Sequence, residues 1–234
     1  MHRTAVNPAS NHIMKKNFTF ILCYFISAIT FAQTKPSFGI KAGLSSSGLQ
    51  GDAVKSLGSL IDLSNGMITT GNRNGYFAGG YVGIPMGKNI SIEPGLYYTQ
   101  KGYELRGALN IKGLAFLGVN AKSQLQSQYL DIPLLLKADF GGLQLFAGPQ
   151  FSYLMNANLH STAGALGFNI LNNNTDATGQ FNRWDAGVTG GAGYQFTNGL
   201  NLSASYDYGL SKIDVNKNLN AYNRGVKVGI GFRF

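Results

Sequence analysis

NLSASYDYGL, residues 201–210, and VKVGIGFRF, residues 226–234, alternate apolar and polar residues without a break. In the first, Leu202, Ala204, Tyr206, Tyr208 and Leu210 fall on one side, against Asn201, Ser203, Ser205, Asp207 and Gly209. In the second, Val226, Val228, Ile230, Phe232 and Phe234 oppose Lys227, Gly229, Gly231 and Arg233. A period of two sends each set to its own face of a pleated strand. The run that stops on Phe234 is expected to be paired on both sides or packed, and the two runs together to close a small transmembrane β-barrel.

Composition fits such a wall. The 234 residues include 32 Gly and 6 Pro, and only 12% are charged, against roughly 25% in soluble domains. Mean hydropathy is near zero at −0.02, so the polarity resides in Ser, Thr, Asn, Gln and Gly. That suits a sheet with one apolar and one neutral polar face better than a water-soluble surface. The net charge is +9, and without Arg3, Lys15 and Lys16 of the leader segment it is +6. The remaining basic residues are scattered singly and form no run that would follow a phosphate backbone, which argues against nucleic acid as a partner.

The leader reads as a secretory signal peptide. Lys15 and Lys16 precede an apolar run over residues 18–29, and Thr30, Phe31 and Ala32 offer a cleavage site before Gln33. The run is too short for a spanning helix. Met14 is expected to be the true start, residues 1–32 to be removed, and residues 33–234 to form one outer-membrane β-barrel domain. Cys23, the single cysteine, follows Phe20, Ile21 and Leu22, without the small residue that a lipoprotein processing site needs. The mature chain is therefore expected to carry no thiol, disulfide or thiolate ligand.

Six further strands are expected upstream, over residues 37–45, 74–85, 89–101, 127–140, 143–155 and 183–196. Outward sets include Phe38, Ile40, Ala42 and Leu44; Ile90, Ile92, Pro94, Leu96 and Tyr98; Leu130, Ile132, Leu134, Leu136 and Ala138; Leu145, Ala147, Pro149, Phe151 and Tyr153; and Trp184, Ala186, Val188, Ala192, Tyr194 and Phe196. The faces of the glycine-rich second strand are hard to tell apart. Pro94 is a cost to a central strand unless pairing is irregular there. Tight turns fall at residues 87–88, 141–142 and 197–199. Long connections fall at 46–73, with a helical spacing over 52–63, at 102–122, at 156–182, with the tract Asn172 to Asn174, and at 212–222. Even strand number, alternating faces and a short–long rhythm predict an all-β fold: an eight-stranded antiparallel up-and-down barrel with short periplasmic turns and long extracellular loops.

The polar faces then point into the lumen and carry Lys41, Glu93, Asp131, Lys137, Asp185, Asp207, Lys227 and Arg233. Counting up from the short turns places Asp207 beside Lys227 and Glu93 near Lys137, so both pairs are expected to form salt bridges. Glu93 and Asp131 could be read as paired catalytic carboxylates, but charge balance in a narrow lumen is the stronger reading. Arg183 and Asp185 are expected to pair at a loop end. Tyr76, Tyr98, Tyr153, Trp184, Tyr194, Phe196, Tyr208, Phe232 and Phe234 are expected to form interfacial girdles. His160, the only histidine of the mature chain, falls in a loop. The glycines at 187, 190, 191 and 193 lack the strand-to-helix setting of a nucleotide loop. No catalytic, cofactor or metal site is expected.

Several runs resemble the PorT-like outer-membrane β-barrel family of Bacteroidota. They are Phe38-Gly39-Ile40-Lys41-Ala42-Gly43-Leu44, Ile92-Glu93-Pro94-Gly95-Leu96-Tyr97-Tyr98 continuing to Gln100-Lys101-Gly102, Tyr129-Leu130-Asp131-Ile132-Pro133-Leu134-Leu135-Leu136-Lys137, Phe146-Ala147-Gly148-Pro149, Tyr206-Asp207-Tyr208-Gly209-Leu210 and Gly229-Ile230-Gly231-Phe232-Arg233-Phe234. The resemblance implies eight strands, both termini in the periplasm, prolines in the third and fourth strands, and a terminal aromatic signal, Phe232 and Phe234, read by the barrel-insertion machinery. One namesake is associated with type IX secretion, but the resemblance supplies no shared activity.

The function expected is that of a non-enzymatic integral outer-membrane barrel anchoring surface loops for envelope, secretion-related or ligand interactions. Its expected partners are outer-membrane lipid and lipopolysaccharide, the insertion machinery, and an envelope or secretion component. A small-solute, porin-like channel is the alternative, and a soluble lipocalin-like periplasmic carrier follows behind it. An eight-stranded interior is just wide enough to be filled by side chains, which disfavours an open pore.

Overall fold

The computed structural model describes residues 35–51, 68–109, 119–165, 168–213 and 220–234. The expected leader, residues 1–32, and the helical spacing at 52–63 lie outside the described residues. The elements, in chain order, are β1 (Ser37–Gln50), β2 (Ile68–Pro85), β3 (Ile90–Leu109), β4 (Val119–Phe140), β5 (Leu143–Ala165), β6 (Phe168–Asp176), a short 3-10 turn (Thr178–Gln180), β7 (Trp184–Gln195), β8 (Leu200–Gly209) and β9 (Tyr222–Arg233). Every pairing is antiparallel.

Eight strands form the wall, in the order β4-β3-β2-β1-β9-β8-β7-β5, and β4 pairs with β5 to close the ring. β1 and β9 pair from Gly39↔Arg233 to Gln50↔Tyr222, so the last strand meets the first. Closure matters because a hydrocarbon layer offers no partner to an open edge. At this seam Gly43 faces Gly229. A Cβ on Gly43 would lie 2.1 Å from the Val228 carbonyl oxygen and 2.8 Å from the Phe77 ring. The Phe77 ring covers both glycines, since a Cβ on Gly229 would come within 2.7 Å of it. An inward aromatic on a neighbouring strand thus fills the space that the glycine pair leaves.

Three connections at one end are tight. Gly141 and Gly142, both at positive φ (68° and 99°), turn β4 into β5, as a two-residue hairpin requires. Met86 donates to the Ile90 carbonyl at 2.8 Å, and Phe196 donates to that of Leu200 at 2.8 Å beside Gly199 at φ 92°. The first residue of β1 and the last of β9 lie at this same end, since Ser37 pairs with Gly83 and Gly39 with Arg233.

The opposite end departs from the sequence expectation. β1 to β5 and β9 extend further at this end than alternation suggested, because the outer extensions stand beyond the lipid and need no apolar stripe on their outer face. The stretch expected to be a third long loop, 156–182, is largely strand. β5 runs on to Ala165 and returns as β6, with Asn172, Asn173 and Asn174 opposite Thr162, Ser161 and His160. His160 is accordingly a strand residue between Gln124 and Asn174. β6 is a ninth strand that lies beyond the wall, on the edge of β5 that β7 occupies lower down.

The prolines sit where pairing lapses without a change of register. The β2–β3 ladder passes from Tyr81↔Gly95 to Ile84↔Ile92, β3–β4 from Pro94↔Leu134 to Tyr97↔Asp131, and β4–β5 from Pro133↔Gln150 to Leu136↔Ala147. Pro94 and Pro133 bring no N–H to a ladder, and the bonds they would break are not made.

Valine in place of Gly43 should block closure of the seam. The Gly43→Val protein is expected to lose the compact, faster-migrating band of unboiled electrophoresis, whereas Ala42→Val on the exposed outer face should keep it.

Candidate functional site

Alternation sends two chemically opposite faces to the two sides of the ring. Outside stand Phe38, Ile40, Leu44, Leu96, Ile132, Leu134, Leu136, Leu145, Phe151, Val228 and Ile230, all exposed. An apolar surface this continuous, on strands that close into a ring, is a surface for lipid. Aromatics edge it at two levels. Tyr76 with Tyr98 (5.9 Å between centroids) and Tyr153 with Trp184 (5.0 Å) lie toward the long connections; Tyr194 with Phe196 (4.9 Å) and Phe232 with Phe234 (5.3 Å) lie toward the short turns.

Inside, the register brings the charged residues together. Asp131 on β4 is almost fully buried, at 1% exposed. One of its oxygens accepts from Lys101 Nζ at 2.8 Å and from Ser152 Oγ at 2.6 Å, and the other from Lys227 Nζ at 2.8 Å. Lys227 also reaches Asp207 at 2.8 Å. β4 and β9 stand opposite one another in the ring, so Lys227 crosses the lumen and ties the far wall to β8 and β9. Nearer the short turns Lys137 pairs with Glu93.

Aromatic side chains carry the rest of the charge. Lys41 Nζ lies 5.4 Å from the Tyr81 ring centroid and 5.6 Å from that of Phe146. Lys137 shares the same two rings at 5.3 and 6.0 Å. Lys227 lies 5.7 Å from Phe77, and Lys101 4.7 Å from Tyr129. A cation within about 6 Å of a ring face is attracted by its quadrupole, more strongly when desolvated. Phe77, Tyr81 and Tyr97 form a buried cluster in this plug.

The outer end of the lumen is closed differently. Leu125, Tyr129, Leu154 and Ala157 pack together, with Tyr103, Leu159 and Phe181 against them. The segment after β6 is pinned over this cluster: Ala177 N donates to the Ala157 carbonyl at 2.8 Å, and Ala157 N to Thr178 Oγ1 at 3.0 Å. Asp176, exposed before this turn, accepts hydrogen bonds from the Thr178 hydroxyl and amide, which hold its carboxyl below the usual carboxylate range. Among the described residues, two cavities beside the ion cluster are small. One cavity of about 20 Å³ lies among Thr99, Lys101, Asp185 and Lys227, and one of about 40 Å³ among Lys41, Phe77, Phe146 and Lys227.

Of the eight charged residues read from the sequence, the lumen gathers seven. The pairs Asp207–Lys227 and Glu93–Lys137 are both formed. Lys41 rests on rings rather than on a carboxylate. Asp185 accepts from Asn223 Nδ2 at 2.7 Å, and Arg183, expected as its partner, instead donates to the carbonyls of Leu154 and Met155 at 3.2 Å. The reason is that Arg183 precedes β7 and is exposed, while Asp185 lies buried inside it. Arg233 stands exposed at the short-turn rim, lining a vestibule of about 180 Å³ with Glu93, Lys137 and Asp139.

Sequence reasoning missed Lys101, although it lies on the inward face of its strand, because its partner Asp131 sits lower on the next strand. It also missed the inward aromatics. Phe77, Tyr81, Tyr97 and Phe146 each overlie a glycine of an adjacent strand, at Gly43, Gly39, Gly79 and Gly191 respectively. The signal was present as aromatic residues alternating with glycine on neighbouring strands.

Removing one member of a buried, multiply bonded ion cluster costs about 3–5 kcal/mol. Asp131→Asn, which leaves Lys101 and Lys227 without their shared carboxylate, should lower unfolding stability by that order, while Arg233→Gln at the exposed rim should change it by under about 1 kcal/mol. Urea unfolding from lipid vesicles, followed by the fluorescence of Trp184, measures both. Equal effects would count against a lumen organised around Asp131.

A family model described as the outer membrane protein beta-barrel domain matches residues 31–215. No curated protein matches the chain in sequence. Among solved structures, Ail, the attachment invasion locus protein of Yersinia pestis, is similar at 14% identity, covering 86% of this chain and 100% of that chain, with a TM-score of 0.39. Neisserial surface protein A is similar at 15% identity, over 86% of this chain and 98% of that chain, with a TM-score of 0.36. The outer membrane protease OmpT of Escherichia coli is similar at 11% identity, over 87% and 100%, with a TM-score of 0.35.

Proposed function

We propose a function for a chain that belongs to the outer membrane protein β-barrel domain family and is an integral protein of the outer membrane: it is a closed, non-enzymatic anchor that holds its longer connections, above all the β5–β6 hairpin, outside the cell for contact with a partner. The observation that carries this reading is the filled lumen. Lys227 bridges opposite walls between Asp131 and Asp207, aromatics occupy the level below, and the Leu125–Leu154 cluster occupies the level above. Cavities of about 20 and 40 Å³ suit a few water molecules, not a hydrated ion or a solute. A plugged barrel leaves its outer surface as the part free to act.

The orientation follows from the family's architecture. Short turns face the periplasm and longer connections face outward, so the girdle of Tyr76, Tyr98, Tyr153 and Trp184 meets the outer leaflet and its lipopolysaccharide. Phe232 and Phe234 on the outer wall are the residues we assign to recognition by the insertion machinery. The runs shared with PorT-like barrels of Bacteroidota support an envelope or secretion-related setting for the partner. The catalytic reading of Glu93 and Asp131 has little support, since each carboxylate is engaged by lysine and buried.

Purified protein reconstituted in planar bilayers should give no sustained conductance steps. Steady openings of the wild-type protein that change with Lys227→Met would replace the anchor by the small-solute channel.

A further inference from the structure

Among the described residues β6 is a strand with one neighbour. Phe168–Asp176 pairs with β5 from Ala165↔Phe168 to Asn158↔Asp176, and no other strand among the described residues pairs with its second edge. Residues 171–176 are all exposed, so neither face of the strand is covered over that stretch. Natural sheets guard such edges with lysine, proline, bulges or short length. β6 has nine residues, and residues 168–175 (FNILNNNT) contain neither a charge nor a proline. Its one irregularity against β5 falls at the hairpin tip, between Ala163 and Gly164. The single charge, Asp176, is tied to Thr178.

We propose that the free edge of β6 is a docking site for an extended, uncharged polypeptide segment presented from outside the cell, which joins the sheet by main-chain hydrogen bonding. This rests on the placement of the β5–β6 hairpin outside the membrane argued above. The occupant's class follows from what the edge offers. Outward-facing N–H and C=O groups alternate along a strand at the spacing of another extended backbone, the recognition mode of β-strand addition. With no charge over residues 168–175, the edge selects no charged partner, and the asparagine and threonine side chains keep it soluble while unoccupied.

A second copy of the chain fits poorly. Strands of these barrels lean by about 35–45° from the membrane normal. Two copies standing upright in one membrane and related by a two-fold axis along that normal would bring their β6 strands together leaning in opposite senses. They would cross at about twice that angle, and no ladder forms between crossed strands.

The test uses the full-length protein in lipid nanodiscs and a fluorescent peptide NLHSTAGA, a copy of residues 158–165, the segment that β6 already accepts on its paired edge. Saturable binding is expected, with slowed hydrogen exchange at alternate amides of β6. Methylating the peptide's backbone nitrogens at alternate residues along its docking edge should weaken binding by at least about tenfold, the equivalent of one to three main-chain hydrogen bonds. A peptide that does not bind, that binds equally well when methylated along either edge, or that slows exchange elsewhere overturns the proposal. Efficient cross-linking between two Asn173→Cys chains at β6 would also overturn it, in favour of self-association. Labelling of Asn173→Cys on intact cells by a membrane-impermeant maleimide separates the premise from the inference. Failure to label overturns the outside placement, whereas labelling without peptide binding overturns only the edge.

Discussion

A backbone in hydrocarbon has no water to satisfy its N–H and C=O groups, so a sheet that crosses lipid must have no edge. In this protein that demand falls on one seam, where β1 and β9 pair from Gly39↔Arg233 to Gln50↔Tyr222. Closing the ring with eight strands fixes a narrow bore, and the bore dictates the chemistry within it. Side chains from opposite walls meet, as Lys227 and Asp131 do at 2.8 Å. A charge that meets another wall instead of water must find a counter-charge or a ring face there, because an unpaired buried ion is costly. Asp131 holds two lysines and a serine for this reason, and Lys41 lies against the rings of Tyr81 and Phe146. Glycines make room for those rings at the seam and beside it.

The molecule changes character along its axis. Within the lipid layer each strand has an apolar outside and a polar inside. Beyond the upper aromatic level the strands lose their apolar outer stripe, and β5 and β6 form a hairpin whose residues 171–176 are exposed. The constraint that removes edges operates only in lipid. Outside it an edge is tolerated, since water satisfies it until something else does. The same chain therefore combines a sealed wall with an open-edged extension, and the rigidity of the first positions the second.

The sequence showed the wall more clearly than the extension. Alternation in residues 127–140 and 143–155 gave the correct outward and inward sets, and Gly141-Gly142 gave the turn between them. Residues 156–182 read as a loop because Asn172 to Asn174 are poor strand formers and the stretch beyond the lipid carries no apolar alternation. Their pairing comes from β5, not from their own preference. The second strand was ambiguous because Phe77 and Tyr81 point inward while Ala78 and Gly80 point outward, the reverse of the rule that the larger apolar residues face lipid. Lys101 was placed on the right face but left without a role, and Arg183 was given a partner that it does not meet.

What the sequence determined by itself is local: which residues share a face, where the chain turns tightly, and that the wall has an even number of spanning strands. Period-two geometry and turn chemistry depend on neighbours along the chain, and these are visible in it. What only the tertiary structure decided is who meets whom across the bore and beyond the membrane. Lys227 and Asp131 are 96 residues apart, and their contact depends on the stagger accumulated around the whole ring. The β6 strand likewise exists because β5 extends far enough to receive it. Closure of the ring converts separate alternating runs into one interior, and the partners in that interior follow from its diameter and register rather than from any single stretch of residues.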